Sequence, residues 1–289
     1  MSAAAPAVSP VGTMSLWRGQ ALSILGMELR RNFISKRGFW IYGLALVPVI
    51  IVWVHSIFTM RGAPRMSHDL SKDTQVLASL FQLFLLRPAI FFGCLGIFTY
   101  LFRGEFVERS LHYYFLAPVR REVLVVAKYC AGSITAISFF GLSVFLTFAG
   151  MYAHYPQFEV RQWLLNGPGL GHLGAYLAIT TLACLAWGSV FLWMGIRFKN
   201  PIVPAVVFLT WESANVLLPS WLRRLNILHF LQSLNPVNVQ NQGPGSLLGT
   251  TAEPEHAVTA VLCLILISAA MVFLSIRELK RAEVNYSTE

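Results

Sequence analysis

The chain has 289 residues, of which 56% are hydrophobic and only 12% charged, and it carries a formal net charge of +9. Soluble domains are about half apolar and a quarter charged, so this balance excludes an ordinary soluble enzyme and places lipid around most of the chain. The length fits one helical membrane domain with short loops, and its basic residues are interrupted by apolar runs instead of forming one stripe, which excludes nucleic acid as a partner.

In chain order, residues 1–14 are rich in Ala, Pro and Ser and have no charge, which reads as a disordered lead. A signal peptide needs a basic start and an apolar stretch within about 30 residues. Here the first long apolar run begins at Phe39. Over residues 15–37, Leu22, Leu25, Leu29 and Phe33 recur at helical spacing opposite Arg18, Glu28, Arg30, Arg31 and Asn32. That pattern predicts an amphipathic helix lying on the inner leaflet.

Residues 38–277 form the transmembrane domain, with spans predicted at 39–58, 79–102, 130–152, 173–196, 202–221 and 257–276. Each is about 20 residues, enough at 1.5 Å per residue to cross a hydrocarbon core of about 30 Å. The runs are continuously apolar, whereas barrel strands alternate with period two. The expected fold class is therefore an all-α membrane protein with six transmembrane helices. Fifteen of the 22 Lys and Arg residues fall before the first span, in the loops after the second and fourth, and after the last span, at Arg277 and in the tail at 278–289. Basic residues are retained inside, so both termini are expected in the cytoplasm.

The loop after the second span carries two helical patterns. Glu105, Glu108, Arg109 and His112 recur on one face, and Val107, Leu111, Tyr114 and Phe115 on another. A short amphipathic helix is expected there, broken before Pro118, which can open the helix leading into span three. Glu and His on the polar face suit a protein partner better than an anionic leaflet, where Lys and Arg would dominate.

Two spans carry a charge. Glu212 lies near the middle of span five, where an ionised acid costs about 2.5–3.5 kcal/mol unless it is paired or faces water. Asn215 shares its face, and both are candidates for a translocation path or for a structural hydrogen bond. Arg87 in span two is read as snorkelling to the outer interface. Between the last two spans, Leu222, Leu225, Leu228 and Leu231 suggest a helical turn. That helix is too short to cross and is closed by Pro236, so it is expected as a re-entrant or surface element. The four cysteines lie in or at the edge of spans without pairing or metal spacing. Six of the seven histidines map to the outer side, none at the close spacing of metal ligands on a helix.

The layout resembles the permease subunits of ABC-2 type exporters. Their second cytoplasmic loop typically reads as a Glu, a small pair, a Leu-rich turn, and Pro-Val-x-Arg followed by a Lys. The matching residues are Glu105, Arg109-Ser110, Leu111, Leu116, Pro118-Val119, Arg121 and Lys128, with Arg109 standing where Gly is usual. The resemblance implies a permease in the bacterial inner membrane that works as a homodimer or with a related chain. It also implies that the loop is a coupling helix docking on a separate ATP-binding cassette subunit. Glu105, Glu108, Leu111, His112, Phe115, Pro118 and Arg121 would make that contact, and the outer helix would cap the exit. No Gly-x-x-x-x-Gly-Lys-Ser/Thr loop occurs, so no cofactor is expected in this chain, and ATP and Mg would belong to the partner. Two other classes compete. A membrane enzyme acting on lipid or isoprenoid would need Asp-x-x-Asp or a Ser/His pair at the interface, and neither is seen. An assembly or anchoring factor would co-purify with no ATPase.

Overall fold

The computed structural model describes residues 10–34, 39–61, 70–107, 120–214, 219–237 and 255–281. All the elements among them are helical. They are α1 (Pro10–Ile34), α2 (Phe39–Met60), α3 (Leu70–Leu80), a π-helical segment (Phe81–Ile90), α4 (Phe91–Val107), α5 (Arg121–Tyr152), α6 (Gln157–Asn166), α7 (Gly169–Arg197), α8 (Ile202–Ser213), α9 (Ser220–Arg223), α10 (Ile227–Ser233) and α11 (Ala257–Arg281). Five stretches are long and apolar enough to cross a membrane: Trp40–Met60, Leu70–Phe106, Arg121–Tyr152, Gly169–Arg197 and Ala257–Arg281.

The fifth predicted span is corrected. Its helix, α8, has 12 residues, about 18 Å of rise, which falls short of the hydrocarbon core. The chain then turns through α9 into α10, whose Ile227, Leu228, His229, Phe230 and Leu231 are all buried. This helix, expected as a re-entrant or surface element, is inserted against α7 and α11.

The second span is longer than predicted, because α3, the π segment and α4 run on without a break. Pro88 lies inside the π segment and has no N–H to give the ladder, which accounts for the wider turn. Arg87 therefore sits seventeen residues after Leu70 and nineteen before Phe106.

Helix α1 begins at Pro10, earlier than the predicted Ser15. It packs along α5 in the same direction: Trp17 lies under the Arg120 guanidinium at 4.0 Å, Glu28 meets Lys128, and Asn32 Nδ2 donates to Thr135 Oγ1 at 3.4 Å. The face turned inward holds Ile24 and Glu28, while of the expected apolar side Leu22 and Phe33 are exposed and Leu25 and Leu29 half-buried. The inward face thus meets protein, through α5. Helix α2 continues along α5. The Ala45 carbonyl, in the turn that Pro48 disturbs, accepts from Ser143 Oγ at 2.5 Å, and Trp53 Nε1 donates to Leu146 O at 3.2 Å.

The core is centred on α7, which packs most extensively on α4 and α11. Glycines let the backbones approach, as in many membrane helix pairs. A Cβ on Gly195 would lie 3.0 Å from the backbone of Thr99, which cannot swing aside as a side chain can. Gly195→Val is expected to cost about 1–3 kcal/mol through overpacking. The readout is the thermal unfolding of the detergent-solubilised chain, and an unchanged midpoint would show that α4 and α7 can separate freely. Above that contact, Phe91 gathers Phe191 (centroids 5.0 Å), Trp187 (5.5 Å) and Phe208 (6.0 Å).

Candidate functional site: two buried charge centres

The first centre lies where α1, α4 and α5 meet. Helix α4 continues through Val107, so Glu105 occupies the last turns of the membrane helix and does not open a separate loop helix. It is 1% exposed, which corrects its expected place on a solvent-facing side. The reason is Lys128, also buried, whose Nζ donates to Glu105 Oε1 at 2.6 Å, Glu28 Oε1 at 2.5 Å and Leu101 O at 3.0 Å. Three ammonium protons thus meet three acceptors, which makes a buried lysine tolerable. Arg31 Nη1 stands 3.8 Å from Glu105 Oε1, so two acids face two cations. Glu105 Oε2 is buried without a hydrogen-bond partner.

Glu105 and Lys128 are the first and last residues of the matched loop pattern, and the structure joins them directly. Sequence reasoning treated Lys128 as one more inner cation and missed Glu28 as its partner. The available signal was that Lys128 follows Val125, Val126 and Ala127 and precedes Tyr129 and Cys130, with no polar neighbour to solvate it.

Arg121, at the other end of the loop, is taken up by the last helix. Its Nη1 donates to Leu279 O at 3.0 Å and Lys280 O at 2.9 Å. A cation on the final carbonyls of α11 satisfies groups that a helix C-terminus leaves unpaired and complements its dipole. Glu122 pairs with Lys280, and Arg197 Nε with Glu278 Oε1 at 3.1 Å. Of the other expected contact residues, Glu108, Leu111, His112, Phe115 and Pro118 lie outside the described residues.

The second centre surrounds Glu212, which is 2% exposed. Its Oε1 accepts from the Ile227 N–H at 3.2 Å and its Oε2 from the Leu228 N–H at 2.9 Å. Asn226 supports the same turn: its Oδ1 accepts from Leu228 N at 3.1 Å while its Nδ2 donates to Glu212 O at 3.2 Å. The carboxylate is therefore a cap on α10, supplied from fifteen residues upstream. Asn215, expected as its partner, lies outside the described residues, and both carboxylate oxygens are engaged by backbone amides. Arg87 is close enough to attract Glu212 electrostatically, yet no ion pair closes between them. The buried Trp187 indole N–H lies beside the carboxylate but outside hydrogen-bond geometry.

Outside these centres, His154 Nε2 is 3.2 Å from Asp73 Oδ2, Tyr155 Oη donates to the same oxygen at 3.0 Å, and the His55 and His154 rings are 6.2 Å apart. No three His, Cys, Asp or Glu residues among those described converge as a metal site. All four cysteines are free.

Residues 30–213 match the family model of the ABC-2 family transporter protein. No curated protein matches the chain at a significant level. The matched region runs from the end of α1 through α8 and so contains Glu105, Lys128, Arg121 and Glu212.

Proposed function

The chain belongs to the ABC-2 transporter family and is a multi-pass membrane transport permease; from that premise we propose that it is the transmembrane subunit of an ATP-driven exporter, energised by a separate ATP-binding cassette subunit and paired with a second permease. Both termini face the cytoplasm of a bacterial inner membrane, as the distribution of Lys and Arg favours. The chain crosses six times, the fifth crossing being a composite of α8 and the segment that leads through α9 to α10. The exposed Leu22, Met27 and Phe33 rest on the inner leaflet while the opposite face of α1 holds α5. ATP and Mg bind the partner, and residues 108–119 dock on it.

The observation that carries this reading is that both ends of the 108–119 loop are fixed to different helices. Upstream, Glu105 is held with α1 and α5 through Lys128; downstream, Arg121 grips the end of α11. A push on the loop therefore reaches three helices through short, buried or helix-terminal contacts. Glu105 and Arg121 act as anchors of the loop, and Leu111, Phe115, Glu108 and His112 make the outward contact. The path runs beside Glu212 and Asn215, with Glu212 positioning α10.

The test is a Leu111→Asp, Phe115→Asp double variant reconstituted with the ATP-binding partner. The expected result is at least tenfold weaker co-purification and loss of substrate-stimulated ATP hydrolysis, because buried apolar anchors dominate such interfaces. Membrane insertion and thermal stability should match the wild type. Normal co-purification with normal stimulation would remove the loop from the coupling path.

A further inference from the structure

We propose that Asp73, His154 and Tyr155 form a proton-dependent clasp at the end of the bundle remote from Glu105 and Lys128, holding α3 against the end of α5 in acid and loosening as the pH rises. The inference goes beyond the transport reading and does not depend on it.

The clasp is built from the backbone upward. Helix α5 ends at Tyr152, and the turn after it folds back, with the Tyr155 N–H donating to Tyr152 O at 3.3 Å. That turn brings two side chains onto one carboxylate of α3. His154 Nε2 stands 3.2 Å from Asp73 Oδ2, and Tyr155 Oη donates to the same oxygen at 3.0 Å. Beside them Thr74 Oγ1 and Tyr152 Oη share a hydrogen bond of 3.1 Å. Helix α2 adds His55, whose ring is 6.2 Å from that of His154. The His154 side chain is 0% exposed and that of Asp73 10%, so little water screens their interaction. The other charged groups of the neighbouring elements, Arg61 after α2, Lys72 of α3, and Glu159 and Arg161 of α6, are exposed and act through solvent and salt.

Histidine is the side chain that ordinarily changes charge between about pH 5 and 8, whereas the phenols of Tyr152 and Tyr155 ordinarily titrate near about pH 10. Protonated, His154 meets Asp73 as a buried ion pair. Neutral, it leaves the buried acid facing an uncharged ring. By linkage, a contact strengthened by the proton also retains the proton. Its stabilisation is therefore present in full below about pH 6.5, the ordinary imidazole value, and is lost as the pH rises above it. His55, when protonated beside His154, opposes the clasp as a like charge.

The position of the clasp gives it reach. Residues Leu70–Phe106 are one helical run, and Glu105 near its far end is tied to α5 through Lys128. Asp73 ties the near end of that run to the opposite end of α5. Two long helices are thus joined at both ends, by a lysine at one and a histidine at the other, and the histidine joint is the one suited to respond to protons near neutrality. In the topology proposed above, this end faces outward and would sense the external pH.

The test is backbone amide exchange over residues 70–80 in the full chain in phosphatidylcholine nanodiscs, read by mass spectrometry at about pH 5.5 and about pH 8. Rates are corrected for the pH dependence of the chemical step. Opening should be at least about fivefold more frequent at the higher pH, while residues 183–192 in the core of α7 show no such change. Asp73→Asn and His154→Gln should exchange fast at both values. Tyr155→Phe should speed exchange by a similar factor at both and keep their ratio, because it removes a hydrogen bond and no titrating charge. His55→Gln should keep or enlarge the ratio. Should Asp73→Asn not accumulate, the wild type and His154→Gln decide the matter. Equal corrected exchange at both values in the wild type, or a ratio that survives in His154→Gln, overturns the proposal. No ATP, partner or substrate enters the measurement, so failure here and failure of loop coupling are separate results.

Discussion

Lys128→Met is expected to be the most damaging single substitution in this chain. It leaves Glu28 and Glu105 facing each other in a buried site, each 1% exposed, after removing the cation that contacts both. Breaking a buried ion pair by deleting one member commonly costs about 3–5 kcal/mol, because the surviving charge has no solvent to return to. Here two carboxylates are stranded, with only the half-exposed Arg31 nearby at 3.8 Å. The variant should accumulate poorly or unfold well below the wild-type temperature. The informative comparison is the triple variant Glu28→Gln, Glu105→Gln, Lys128→Met, which removes all three charges while keeping the volumes. Recovery of most of the lost stability would identify the charges as the cause. An unstable triple variant alongside a stable Lys128→Met would overturn the buried-cluster account and indicate that packing alone joins α1 to α5.

The same cluster shows what the sequence could and could not reveal. Continuous apolar runs made the long crossings legible, because hydropathy over about 20 residues reports the hydrocarbon thickness directly. The ends of the helices were less so. Glu105, Glu108, Arg109 and His112 keep one helical period across the place where α4 leaves the core, and periodicity carries no mark of that boundary. A charge reversal at Glu105 would thus perturb folding before it perturbed docking. The pairing of Glu28 with Lys128 joins residues 100 positions apart, and a single sequence holds no sign of such a contact beyond a lysine in apolar surroundings. For α1 the spacing of Leu22, Leu25, Leu29 and Phe33 showed an apolar side, but nothing in it showed that Glu28 on the other side turns inward to meet Lys128. Span five failed for a related reason. The residues from Ile202 to Trp221 are apolar enough to pass as one helix, whereas α8 stops at Ser213 and its Glu212 caps α10 through amides fifteen and sixteen residues downstream.

That cap makes Glu212 the second large effect. In Glu212→Ala the Ile227 N–H loses its acceptor, whereas the Leu228 N–H keeps Asn226 Oδ1 at 3.1 Å. One orphaned buried donor costs about 1–3 kcal/mol, and the lost charge-assisted bonds add to it. The substitution also takes away the charge that attracts Arg87. Glu212→Gln retains one oxygen, which can serve Ile227, while its NH2 must turn away from the Leu228 N–H, a donor that Asn226 Oδ1 still satisfies, so its cost should be about 1 kcal/mol and below that of Ala. Phe230, 5% exposed on α10, supplies the readout. A Phe230→Cys reporter should resist maleimide in the wild-type and Gln backgrounds and label readily in the Ala background. Equal protection in all three would mean that α10 does not depend on the cap. Transport then separates the two roles left open by an acid in an apolar span. Loss in Ala with retention in Gln assigns Glu212 to positioning α10, whereas loss in Gln with α10 still protected would require the charge itself in the path.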